Sequence, residues 1–188
     1  MGDVDAALAF SRQTTEELLA DAEATGDRWS SASAPGKWSP SQTVEHVARS
    51  LDASAALARG EPCDLPRLPV VVHPLLRIVF RRLLRTGLFP KGRTTRPLNT
   101  ASGPATPAQA RDRLRAAHAR YEAACRERAG RGTLLRTPMF GPVPLADYVR
   151  FMALHTRHHQ RQIARIWPAT RIAPATPAAG ADARDRRR

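Results

Sequence analysis

The four-residue phrase Ser39-Pro40-Ser41-Gln42 is enough to open a helix. A serine side chain caps the first orphan N–H groups, proline fits the first turn where its missing N–H costs nothing, and a glutamine three residues past the cap reaches back to close a capping box. The same device is spelled again at Thr106-Pro107-Ala108-Gln109. The first start predicts a helix from Pro40 to about Ala58. The second predicts one that carries Leu114, Ala117, His118, Tyr121, Ala124 and Cys125 at three- and four-residue steps until Gly130. Good helix formers predict another from about Val4 to Thr25, stopped near Gly26. A last one begins near Pro144, after Gly141-Pro142, and runs through Trp167 to Pro168. Four helices of about five turns, with no alternating strand pattern anywhere, predict an all-α four-helix bundle.

Composition agrees with a single domain, read as residues 1–167 of 188. The formal charge is +13, yet 42% of residues are hydrophobic, so the chain collapses despite its basic excess. Cys63 and Cys125 lack Cys-x-x-Cys spacing and are too few for a disulfide framework, which points to a reducing, cytoplasmic setting. The start Met-Gly-Asp-Val-Asp-Ala shows no secretory pattern. The most apolar stretch, Pro69 to Phe80, is interrupted by His73, Pro74 and Arg77 and is too short to span a bilayer.

Between helices two and three lies a long crossover, residues 62–105. No Asp or Glu occurs from Leu65 to Ala110, whereas Arg67, Arg77, Arg81, Arg82, Arg85, Lys91, Arg93 and Arg96 do. A short helix is expected there around Pro74 to Leu84. The crossover as a whole reads as a lid, an anion-binding element or a solvated basic surface, and Val70 to Phe89 within it as a lid over the bundle mouth or an interfacial segment on anionic lipid. Residues 168–188, rich in Ala, Pro and Arg, have nothing to bury and are expected to form a disordered basic tail.

The chemistry concentrates in the last helix. His155 and His159 stand about 40° apart on one face at 100° per residue, with Tyr148, Met152, Gln162, Ile163 and Ile166, while Arg150, Arg157, Arg161 and Arg165 take the opposite side. Imidazoles buried without partners are costly, and a His-x-x-x-His pair on one helix face suits a transition metal. His158 sits on the flank of that stripe. In helix two, His46 neighbours Gln42, Thr43, Ser50, Ala53 and Leu57, mostly small or polar, so it reads either as a third ligand beside open space or as a satisfied core histidine.

Two motifs choose between these readings. Trp38-Ser39 through His46, together with Met139-Phe140-Gly141-Pro142 through His155-Thr-Arg-His-His159-Gln-Arg-Gln-Ile163, resembles the DinB-like superfamily, particularly its YfiT-like metal-dependent hydrolases and bacillithiol transferases. The resemblance covers most of residues 1–167. It implies a four-helix bundle in which His46, His155 and His159 hold a divalent metal, zinc or nickel, and His158 is a neighbour that does not ligate. Pro144, where a polar helix cap would be expected, and the arginine-rich crossover depart from the pattern.

Three nitrogen ligands with one open position make a catalytic site, with metal-bound water or thiolate as the nucleophile. The resemblance implies hydrolysis or thiol S-transfer on a small-molecule substrate, with a low-molecular-weight thiol as cosubstrate. Gln42 and Gln162 are placed to orient the imidazoles, and Tyr148 faces the same side, as packing or toward substrate. A Ser-His-Asp order, a glycine-rich phosphate loop and a close carboxylate pair are all missing, so serine hydrolase, nucleotide-binding and glycosidase readings have no support. A metal-binding interaction module without turnover, a basic nucleic-acid-binding protein and a homodimer are the competing expectations.

Overall fold

The computed structural model describes residues 2–89 and 98–167. Lys91, Arg93 and Arg96 of the crossover, and the tail 168–188, lie outside the described residues. The four expected bundle helices are α1 (Gly2–Glu23), α2 (Pro40–Arg59), α4 (Pro107–Arg131) and α5 (Leu145–Ile166), with α3 (His73–Thr86) in the crossover. α1 lies along α5 and α2 along α4, and α1 also meets α4. Leu8, Leu18, Val44, Val47, Leu51, Leu114, Tyr121, Leu145, Val149 and Ile163 are fully buried between them. Burying each such side chain stabilises the fold by about 1.5–3 kcal/mol.

The α2 start has the full capping box: Ser39 Oγ accepts from Gln42 N–H at 3.2 Å, and Gln42 Oε1 accepts from Ser39 N–H at 3.0 Å. At α4 the box expected from the same spelling is only half made. Thr106 Oγ1 accepts from Gln109 N–H, but Gln109 Oε1 takes the N–H of Ala105, one residue outside the cap. α5 starts with Pro144 at the cap position and no side-chain cap. Its first N–H groups are helped by a different device, since Leu145 N–H donates to Thr133 O at 2.7 Å.

The expectation of a chain without strands is corrected by a hairpin between α4 and α5. Strand β1 (Leu134–Thr137) pairs antiparallel with β2 (Gly141–Pro144), Leu135 facing Val143 and Thr137 facing Gly141. Four-residue strands are too short to show period-two patterning, and Pro142 and Pro144 mask the second one. Thr137 organises the turn by accepting from Phe140 N–H and donating to Gly141 O. Gly141 has φ +71°, and a Cβ there would stand 3.0 Å from the His73 ring, so glycine meets both demands.

The hairpin and α3 close one end of the bundle together. Phe80 and Leu83 of α3 are buried, and the Phe80 ring lies 4.8 Å from Phe140 and 5.4 Å from Phe151. The crossover then returns to the start of α2, where Ser41 Oγ and the Trp29 indole N–H both donate to Pro104 O at 2.7 and 2.9 Å. The amide of Gln42 donates to the carbonyls of Thr100 and Ala101. Among the described residues no helix is long and apolar enough to cross a membrane.

Candidate metal centre

α2 and α5 bring His46, His155 and His159 together. One ring nitrogen from each lies within 4.8 Å of the others, making a site that could bind a metal ion. His46 Nε2 is 3.4 Å from His155 Nε2, and His159 Nε2 is 3.1 Å from the same atom. Nitrogens held 2.0–2.1 Å from one tetrahedral ion lie about 3.3–3.4 Å from each other, so these spacings suit such an ion.

The partners of the other ring nitrogens set the tautomers. His46 Nδ1 donates to Leu98 O at 2.8 Å, and His159 Nδ1 donates to Gln162 Oε1 at 2.9 Å. A carbonyl oxygen can only accept, so in both rings Nδ1 carries the proton and Nε2 presents its lone pair. Both lone pairs face His155 Nε2. One proton on that atom can serve only one of them, whereas a cation among the three nitrogens is shared by all. His155 Nδ1 is buried without a hydrogen-bond partner among the described residues. The donor set fits a borderline transition metal.

Burial also keeps these rings neutral, the form a ligand needs. His155 is pushed down to about 3, by burial first and then by His46 and His158. His159 is held well below the ordinary imidazole value by burial and by its three histidine neighbours. His46 is lowered by burial, against the opposing hydrogen bond to Leu98.

Gln162 bonds two histidines, accepting from His159 Nδ1 through Oε1. Its Nε2 also donates to His158 Nε2 at 2.9 Å, linking His158 to the cluster through one amide. Gln42 makes no hydrogen bond to His46 among the described residues, because its amide is used at the cap and on the returning crossover; its part is to hold the segment that presents Leu98 O. Tyr148 is buried and shares a hydrogen bond of 3.0 Å with Ser54 Oγ, so its hydroxyl is already used. Ile166, expected on the same face, is exposed at the end of α5, and Arg157 is half-buried against α1, 4.6 Å above the Phe10 ring.

Two aromatic walls were not assigned to the site from sequence. Trp38 packs on His46 with ring centroids 4.6 Å apart, and Phe89 lies 5.7 Å from His155 and 5.3 Å from His158. Trp38 was visible as part of a motif. For Phe89, just past α3, no local signal exists. Beside His155 opens a cavity of about 100 Å³ lined chiefly by Met139, Phe140, Phe151, Met152 and Leu98. Its polar members other than His155 are engaged with neighbours: Ser50 Oγ donates to His46 O, Thr137 to Gly141 O, and Tyr148 is paired with Ser54. The space next to the histidines is therefore apolar.

His118 is buried on α4 beside Ser11 and takes no part in the cluster. Cys125 is buried, and burial pushes its thiol up to about 12, which removes it as a nucleophile.

Comparison with known families decides the wider assignment, since the DinB superfamily matches residues 7–163. The chain belongs to the DinB superfamily. No curated protein and no solved structure gives a significant match to it. The matched span begins in α1 and ends in α5, so this DinB chain holds all four bundle helices and the three histidines within the family region.

Proposed function

We propose that this DinB chain is a metal-dependent enzyme in which His46, His155 and His159 hold one divalent transition ion, zinc or nickel, and that it carries out thiol S-transfer or hydrolysis on a small substrate with an apolar portion. The observation that carries the reading is the convergence of three Nε2 atoms, two of them presented as lone pairs by Leu98 O and Gln162 Oε1. When bound, such an ion acts as a Lewis acid and makes water or a thiol nucleophilic near neutral pH.

The remaining parts of the site belong to the chain itself. Three protein ligands leave a position for an exogenous group, the pattern of catalytic rather than structural zinc. The cavity beside His155 receives an apolar group and excludes water around the reacting atoms, because its lining is chiefly apolar. Trp38 covers His46 and fixes the rings from the other side.

Elemental analysis of tag-free protein, wild type beside H46A, H155A and H159A, tests the reading first. Near-stoichiometric metal in the wild type, lost in each variant while far-UV circular dichroism is unchanged, is the expected result. Metal retained by all three variants would sink the assignment. With the metal established, disappearance of thiol in the presence of small alkyl electrophiles, against ester hydrolysis without thiol, separates transferase from hydrolase.

A further inference from the structure

Nine large hydrophobic side chains are exposed among the described residues, and seven of them come from one stretch: Leu68, Val70, Val71, Leu75, Ile78, Val79 and Leu88. Five are largely open to solvent, with relative exposures of 78% for Val70, 84% for Val71, 63% for Leu75, 64% for Ile78 and 69% for Leu88. This clustering follows from how α3 sits. Its inner side buries Phe80 and Leu83, with Leu76 and Leu84 packed against the core, and that stripe attaches it to the bundle. The outer side is apolar toward its N-terminal end and then turns to Arg81, Arg82 and Arg85, all exposed. Contiguous apolar surface of this kind marks an interaction site.

Charge identifies the partner. From Leu65 to Ala110 the chain has no carboxylate, so nothing in this stretch can neutralise the arginines. A second copy meeting the same face would bring arginines toward arginines. The C-terminal residues 168–188 carry five arginines against two aspartates and one large aliphatic residue, Ile172, and so offer neither opposite charge nor apolar area. An anionic bilayer supplies both, with acyl chains for the valines, Leu75 and Ile78, and headgroup phosphates for guanidinium groups on stems long enough to reach outward.

We propose that the outer face of α3 docks this protein on anionic lipid membranes. The helix lies in the interface plane, with Val70 and Val71 just before it and its own Leu75 and Ile78 entering the acyl boundary, and Arg81, Arg82 and Arg85 on the headgroups. The other side of the same helix carries Phe80, stacked on Phe140 and Phe151, two walls of the apolar cavity beside His155. Docking thus sets that cavity beneath the helix nearest the bilayer. The proposal does not depend on the metal.

Sedimentation of the full chain with vesicles of phosphatidylcholine alone, and of phosphatidylcholine with about one third phosphatidylserine, tests it. Wild type is expected to sediment with the anionic vesicles and to stay in solution with the neutral ones. R81Q/R82Q/R85Q should bind the anionic vesicles on the order of a hundredfold more weakly. L75S/I78S keeps every charge and should still lose about tenfold or more, because the apolar contribution is gone. All five residues are exposed, and circular dichroism of both variants checks the fold. Equal binding by wild type and L75S/I78S would reduce the effect to general basic attraction and overturn the proposal. So would equal binding to neutral vesicles, no sedimentation of wild type, or a light-scattering dimer that L75S/I78S splits.

Discussion

Gln162 accepts from His159 Nδ1 with one end of its amide and donates to His158 with the other. That single side chain decides which ring nitrogen of His159 faces the cluster. Q162L keeps the volume and removes the acceptor, so metal affinity is expected to fall about 10–100-fold, read by competition with a chromophoric chelator. Q162E retains an acceptor and should recover most of the loss. His118 shows the same residue type in a different role. Burial lowers its pKa below the ordinary 6.5, Glu122 and Glu16 oppose this, and Arg12 adds to it; Ser11 is its hydrogen-bond partner. Because the folded value is the lower one, the unfolded chain takes up the proton first as pH drops through 6.5. The neutral ring's contribution is therefore complete above that pH and is lost progressively below it. Melting temperatures of metal-free protein on either side of pH 6.5 should fall toward acid, and H118Q should show a flatter fall than wild type.

Among the elements, the returning crossover carries the most for its length. Leu98 O reaches His46 only because Thr100, Ala101 and Pro104 are tied to the start of α2 through Gln42, Ser41 and Trp29. Gly103 is what permits that close approach, since a Cβ there would lie 2.3 Å from both the backbone oxygen and Oγ of Ser41. G103A must push the segment off α2. A stability loss of about 1–3 kcal/mol is expected by denaturant titration, with weaker metal retention as Leu98 O moves from His46. The starts of α2 and α4 and the end of α1 shortly before Gly26 were readable because they depend on neighbouring residues alone. The hairpin was not, because its pairing of Leu135 with Val143 is made against α5 and the crossover rather than by strand propensity.

For the whole molecule, the metal reading has a thermodynamic consequence. An ion that binds only the folded state stabilises by mass action, about 4 kcal/mol when free metal exceeds the dissociation constant a thousandfold. Thermal scans with and without excess chelator should show the melting temperature falling on metal removal and recovering on reloading. H46A/H155A/H159A should be insensitive to both treatments. The charge has a global pattern as well. Arginines of α4 pair with carboxylates of α1 and α2, as in Arg111 with Glu23, Arg115 with Glu16, Arg120 with Asp52 and Arg126 with Asp5. Exposed pairs of this kind add little stability each, but they give those arginines partners. The acid-free crossover has no such arrangement within itself, which is why the basic excess is expressed on α3.

By itself the sequence determined the helices, their ends and the face of α5 on which His155 and His159 stand, because helical periodicity and capping are local physics. It also placed His46 on the right helix, and the DinB-type motifs named the trio. Only the tertiary structure decided the tautomers, the aromatic walls of Trp38 and Phe89, the apolar cavity and the outward face of α3. The physical reason is separation along the chain: His46 meets its carbonyl partner 52 residues away and His155 at 109. No local pattern encodes such meetings, which arise when α2, α5, the hairpin and the crossover bury their apolar faces together.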